Sequence, residues 1–266
     1  MNPSPSYKDR LRLLACTVSA AQQTKFWRRK LGDSPINSMS DFEKLPIVEA
    51  REYRRQRFAD LVAKPDEIDW IPGPWLGQSP SLAPIAEGSA EAQIRIRTLR
   101  RFLTHAVPDG ILNPTAVVAS TYDNRYFGAE MCAVLVRMGI PAHLLTDSGT
   151  DRLGDLAGKF KPDIVALLSD KLDANDLPDT TRSVVTVGGA RMTKHILHLD
   201  LYVCNEFGAL GMRTNHGDFH LAHDVFHFET SPCGTLVATP YFSRVQPIVR
   251  LDTGDSIRVT SPSELC

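Results

Sequence analysis

Apolar and charged residues follow two different rhythms along this chain, and the change of rhythm divides it. From Tyr7 to Leu31 the apolar residues Leu11, Leu13, Leu14, Phe26 and Trp27 stand among charged neighbours, with Gly32 as a stop, which predicts a helix. "SMSDFEKLP" places Ser40 three residues before Glu43, a capping box for a short helix that Pro46 closes. "EAREYRRQRFADLV" predicts a further helix, and the Pro, Gly and Ser of "DWIPGPWLGQSPSLAPIAEGSA" predict loop or short extended pieces.

Beyond about residue 110 the pattern becomes an alternation. "PTAVVAS", "PAHLLT", "PDIVALLS", "RSVVTVGG" and "LYVCNEF" predict strands. Between them, "RYFGAEMCAVLVRMG" places Phe127, Met131, Val134 and Met138 on one helical face and ends in Gly139, while "DRLGDLAGKF" and "MTKHILHL" also predict helices. After Gly208 the helices cease, and "DFHLAHDVFHFET", "GTLVATPYF" and "IVRLDTGDSIRV" predict antiparallel strands. The expectation is an α/β fold, a mostly parallel sheet with covering helices followed by a β-rich subdomain. It forms one domain over 1–266, with a helical, loop-rich entry (1–110), an α/β stretch (111–208) and a β-rich end (209–266).

Composition narrows the function classes. The chain has 266 residues, 42% of them hydrophobic, and a net charge of −1. That is enough apolar material for a sizeable core, and it offers no electrostatic case for nucleic acid or a membrane surface. No apolar run has the length of a membrane span and the opening residues do not read as a signal peptide, so the cytoplasm is the default location. Cys16, Cys132, Cys204, Cys233 and Cys266 show no C-x-x-C spacing, which reads as scattered thiols rather than a disulfide framework or zinc knuckle.

The order of "SMSDFEKLPIVEAREYR", "YFGAEMCAVLVRMGIPAHLL", "TVGGARMT", "LYVCNEFGALG", "HGDFHLAHDVFHFE" and "VRLDTGD" resembles the adenylate-forming superfamily, most of all its phenylacetate–CoA ligase-like branch. The resemblance implies that ATP and a carboxylic acid form an acyl-adenylate, whose acyl group then passes to a thiol or amine. It implies an adenine-binding turn at Gly188, Gly189 and Ala190, with Tyr202 flanking the base. Glu206 would help hold Mg²⁺ at the phosphates, Asn205 would stand in for the usual Thr, and Asp255 would accept the ribose hydroxyls. Each element alone has a plainer reading. Thr-Gly-Asp is most often a β-turn, Gly-Gly after a strand is usually a turn, and Glu206 alone could serve as a cap or ion-pair partner.

Two departures bear on activity. The family's phosphate loop is rich in Ser, Thr and Gly and ends in Gly-Lys, so that backbone N–H groups and hydroxyls cradle the phosphates. Here "IAEGSAEAQIRIRTLRRF" keeps Gly88 and Ser89 but adds Glu87 and Glu91, each of which would repel a triphosphate by about 1 kcal/mol at a solvated few-ångström separation. Arg95, Arg97, Arg100 and Arg101 read as a solvated face of strand and helix. The second departure is that the Thr-Gly-Asp turn lies near the end of the chain. The resemblance therefore implies a large N-terminal domain without the mobile C-terminal domain and its lysine.

His216, His220, His223 and His227 form a cluster in sequence. The interleaved Phe219, Leu221, Val225, Phe226 and Phe228 predict strand, which scatters the imidazoles over both faces, so a zinc site is not expected. The functional expectation is activation of a small aromatic or medium apolar carboxylic acid with ATP and Mg²⁺, the acid lying near Tyr122, Tyr126 and Phe127. The acceptor would be CoA, an acyl-carrier protein or a partner protein. The alternative is a homologue without ATP chemistry that binds an acyl-adenylate, acyl thioester or protein, or moves an acyl group from a ready-made thioester with His195 or His198 as base. A face left by the absent domain would favour a homodimer.

Overall fold

The computed structural model describes residues 5–69, 84–121, 124–146, 159–168, 177–188, 196–215 and 217–257. The run from Tyr7 to Leu31 is two helices rather than one, α1 (Tyr7–Ala21) and α2 (Lys25–Leu31). Thr24 makes the break: its hydroxyl accepts the Trp27 N–H at 3.2 Å, an N-cap that starts a new helix instead of continuing the old one. In α3 (Met39–Glu43) the cap is Ser38, not Ser40; Ser38 Oγ accepts the Asp41 N–H at 3.1 Å, so the helix begins two residues earlier than the Ser40–Glu43 box predicts. The single helix expected over 49–62 is divided into β1 (Val48–Glu49), α4 (Ala50–Arg54) and α5 (Phe58–Leu61), with Arg57 extended between the two helices.

Residues 89–103 are helical throughout as α6 (Ser89–Leu103). The arginine-bearing stretch expected to be part strand and part helix is wholly helix, and Glu91, Thr98, Leu99 and Phe102 lie buried at helical spacing. Arg95 leaves the solvated face expected for it and forms an ion pair with Glu130, the two side chains 11% and 13% exposed.

From residue 116 the alternation takes the expected form: β2 (Ala116–Ser120), α7 (Arg125–Arg137), β3 (Ala142–Thr146), β4 (Ile164–Leu167), β5 (Ser183–Val187), β6 (Leu197–Cys204), β7 (Gly208–Thr214) and β8 (His220–Leu221). Their sheet has the order β3-β2-β4-β5-β6-β7-β8, parallel through β6, then antiparallel at β7 and β8. Strands β2 and β4 are buried at every position, as parallel strands covered on both faces must be. Val117, Ala119, Val165, Leu167, Leu177 and Val184 make one layer of its core.

The helix predicted for "MTKHILHL" is not what 196–200 form. Leu197, Leu199 and Leu201 alternate with His198 and Asp200, and this period of two lies in β6. The end of the chain supplies β9 (Phe226–Thr230), β10 (Leu236–Pro240) and β11 (Leu251–Asp252), in a second sheet of order β1-β11-β10-β9.

These elements fall into two compact units that cut across the three consecutive stretches of the sequence. The first takes residues 5–69, 84–93 and 222–257; the second takes the described residues from 94 to 221. In the first unit the rings of Phe26, Trp27 and Tyr53 pack within 6.1 Å of one another, and Trp27 Nε1 donates to the Pro247 carbonyl at 2.8 Å. Among the described residues no helix is long and apolar enough to cross a membrane.

Candidate functional site

Parallel strands β2, β4, β5 and β6 of the second unit all end at one edge of their sheet, where open α/β folds bind ligands. Gly188 directly follows β5 with φ of +85°, and no described residue lies within 4 Å of the place a Cβ would take. The dihedral by itself favours glycine here. Gly189 and Ala190, the rest of the expected adenine turn, lie outside the described residues, as do Tyr122 and His195.

Strand β6 carries the richest chemistry. Its alternation puts His198, Asp200, Tyr202 and Cys204 on one face. Thr186 on β5 donates to Asp200 Oδ1 at 2.8 Å and lies 2.8 Å from His198 Nε2. A hydroxyl has one proton, so with that proton on Asp200 the His198 Nε2–H must be the donor to Thr186. Arg213 on β7 completes the group, its Nε and Nη2 at 3.0 and 2.9 Å from Asp200 Oδ2. Its guanidinium stacks over the Phe219 ring at 4.6 Å, and Phe219 meets the Tyr202 ring at 5.9 Å. His198 is thus an interior strand residue, 3% exposed, rather than one on a helix.

The tight turn from β6 to β7 holds Asn205 and Glu206, closed by the Phe207 N–H to Cys204 carbonyl bond at 3.1 Å. Glu206 is 1% exposed, and Cys204 Sγ donates to its Oε2 at 3.0 Å. A carboxylate plus the Asn205 amide oxygen are hard oxygen donors. They fit the part a protein plays for Mg²⁺, which keeps water and substrate phosphates as its other ligands. Among the described residues no group of three or more His, Cys, Asp or Glu could hold a metal by itself.

Of the acyl-site candidates, Phe127 is 1% exposed and belongs to the core of the second unit, whereas Tyr126 is 39% exposed beneath the Arg125 guanidinium at 4.6 Å. The two neighbours on α7 face different surroundings, as adjacent helical residues do.

Ser89, Glu87 and Glu91 lie in the first unit. Ser89 is the exposed first residue of α6, and its N–H donates to Asp69 Oδ2 at 2.8 Å. Glu87 and Glu91 are buried around Arg244, with Arg244 Nη2 3.8 Å from Glu87 Oε1 and Arg244 Nε 3.5 Å from Glu91 Oε2. Glu91 Oε1 also accepts the Val245 N–H. Burial pushes the Glu91 carboxyl above its ordinary range; Arg244 and the Val245 N–H act against that, and the Glu87 charge adds to it. A Cβ on Gly88 would meet the Glu67 carbonyl at 3.1 Å and Val245 Cγ2 at 3.2 Å, so glycine here serves close internal packing. The Ser89 N–H and the two carboxylates are thus engaged within the protein.

Asp255 is exposed on a turn in which Gly254 has φ of +81° and the Asp255 N–H donates to Thr253 Oγ1 at 3.3 Å. The histidines of the sequence cluster part company: His220 is in β8, His223 in a turn, His227 in β9, and His216 lies outside the described residues. Sequence reasoning did not single out Thr186, Asp200, Arg213 or Arg244. The period-two polar run from His198 to Cys204 held a clue to the first three. Nothing local marked Arg244.

No protein-family profile and no curated protein matches this chain. Solved structures do. The open conformation of 2-hydroxyisobutyryl-CoA ligase in complex with 2-HIB-AMP and CoA matches with a TM-score of 0.73 at 19% identity, over 94% of this chain and 69% of that one. The same ligase in the postadenylation state matches with R3-HIB-AMP at 0.72 and 19% identity, and with 2-HIB-AMP at 0.71 and 20%. In both of these the match covers 94% of this chain and spans 62% of the ligase, less than two thirds of its length. This chain therefore shares the fold of part of 2-hydroxyisobutyryl-CoA ligase.

Proposed function

We propose that the chain descends from an adenylate-forming enzyme of the phenylacetate–CoA ligase-like branch. It binds an acyl group already joined to AMP or to a thiol, at the carboxyl edge of its seven-stranded sheet, and passes that group to an acceptor without using ATP. Gly188, Tyr202, Asn205 and Glu206 provide the adenylate end of that site, and a small aromatic or medium apolar acid is the acyl part. The observation that carries the reading is the closed Glu87–Arg244–Glu91 cluster where the family resemblance places the phosphate loop. A triphosphate there would meet two buried carboxylates instead of free N–H groups. CoA, an acyl-carrier protein or a partner protein would supply the thiol.

One observation favours the ATP-dependent alternative. Asp255 keeps an exposed carboxylate on a turn built by Gly254 and Thr253, suited to a ribose diol, and Glu206 could still assist Mg²⁺. Thermal-shift titrations with AMP, Mg·ATP and a set of acyl-CoA thioesters separate the two. The expected result is stabilisation by AMP and acyl thioesters, roughly 2.7 kcal/mol at a hundredfold excess over Kd, with Mg·ATP no better than AMP. Tighter binding of Mg·ATP than AMP, together with pyrophosphate exchange in the presence of carboxylic acids, would establish the alternative. Silence towards every ligand would overturn both.

A further inference from the structure

Helix α1 of the first unit buries a stripe made by Leu14, Thr17, Val18 and Ala21, and that stripe begins with Arg10 at the same helical spacing. A guanidinium in the first turn of an apolar face requires a reason. Thr17 fastens the helix to β10 by donating to the Pro240 carbonyl at 3.0 Å, which brings Arg10 to the residues around Tyr241. Its charge acts on Tyr241, His223 and His227 together, and Tyr241 takes a side-chain hydrogen bond from it. His227 Nδ1 lies 3.4 Å from the Tyr241 hydroxyl. Two buried atoms of this group, Arg10 Nε and His223 Nε2, have no hydrogen-bond partner. Buried polar nitrogens, donor or acceptor, are rarely left so, because each orphan forfeits its solvation without replacement.

We propose that Arg10, His223, His227 and Tyr241 form a binding site for a small oxyanion, whose oxygens satisfy the two orphaned nitrogens. The other charged groups here are accounted for. Arg250 holds Glu229 through both carboxylate oxygens, at 3.0 and 2.7 Å, and also binds the Glu43 and Leu45 carbonyls. His227 Nε2 is 3.9 Å from Glu229 Oε2, the Glu43 charge also reaches His227, and Asp224 acts on His223. Those carboxylates disfavour an anion, while Arg10 and protonated imidazoles favour one. Burial first, and Arg10 with it, lowers the pKa of both histidines. A bound anion reverses that pressure by pairing with the imidazolium, so binding takes up protons and tightens as pH falls. The histidine-rich segment thereby acquires a role that depends on neither metal nor the carboxyl edge of the other unit.

The test is thermal denaturation of the whole chain with inorganic phosphate or acetate against chloride at equal ionic strength, at about pH 5.5 and about pH 8. The expected result is a rise in Tm of a few degrees with at least one oxyanion, larger at the lower pH. Affinity should improve up to about tenfold per pH unit for each proton taken up. Response to phosphate alone assigns a phosphate-bearing ligand; response to acetate assigns carboxylates as well. Arg10→Gln should abolish the shift and Tyr241→Phe, which only removes a hydroxyl, should weaken it. No oxyanion-specific rise in the wild-type chain overturns the proposal. So does an equal rise in either variant.

Discussion

Each unit of this molecule pairs an arginine with buried acid, and the two do so with different arithmetic. In the second unit Arg213 serves one acid, Asp200, through two short bonds to one oxygen, while Thr186 serves the other oxygen. Here one cation meets one acid, and both carboxylate oxygens accept hydrogen bonds. In the first unit one guanidinium, Arg244, stands 3.8 and 3.5 Å from two acids, and Glu91 Oε2 accepts no hydrogen bond. The lesson is that a buried ion pair has no standard worth. What it contributes depends on whether desolvation is repaid by geometry on both partners. The balanced group can hold a strand face rigid next to Tyr202, and the unbalanced one holds a loop closed while remaining sensitive to protonation.

The sharpest way to break this contrast is Arg244→Leu. It leaves two carboxylates buried without their cation, and denaturant unfolding should show a loss of about 3–5 kcal/mol at neutral pH. Asp200→Asn should cost less, roughly 1–3 kcal/mol, because the Arg213 side chain is 27% exposed and can turn to water. It should also weaken AMP binding if the stack from Arg213 through Phe219 steadies Tyr202, an effect that calorimetry of the folded variant reads directly.

Glu91→Gln sharpens the comparison instead. It keeps an acceptor for the Val245 N–H and removes the repulsion with Glu87, so stability at pH 7 should change by no more than about 1 kcal/mol. The pH dependence should change more clearly. The folded-state pKa of Glu91 is raised, so its contribution is fully present below its ordinary carboxylate value and is lost as pH rises through the folded value. Wild type should therefore lose stability over that interval, and the Gln variant should show a flatter profile.

The smallest effect belongs to His227, whose pKa burial lowers and whose neutral form the fold prefers. Its contribution is present above the ordinary histidine value and lost as pH falls below it. His227→Asn should remove part of the acid limb of the stability curve, by some tenths of a kcal/mol, measured without oxyanions.

Much of the architecture was legible from local pattern. Continuous apolar runs such as "AVVAS" and "IVAL" belong to strands buried on both faces, and the period of α7 marked its inward residues. Where the reading failed, two local tendencies competed. Thr24 and Ser38 could each cap a helix or lie within one, and only the packing of Trp27 and Phe42 into the core, both fully buried, selects the cap. "IRIR" alternates like a strand, yet the buried stripe of α6 makes it helical. The candidate site was partly legible as well. Chain order alone predicts that Gly188 follows β5 and Glu206 follows β6, whereas Tyr202 stands inside β6 itself.

By itself, then, the sequence determined the period of each segment, the strands of the parallel sheet and the turns that demand glycine, since all of these follow from neighbours in the chain. Only tertiary structure decided that the first helices pack with the last strands, that Glu87 and Glu91 close around Arg244, and that Arg10 reaches His223 and Tyr241. Those pairings join residues more than a hundred positions apart. Their energy depends on burial and mutual distance, which no local pattern encodes.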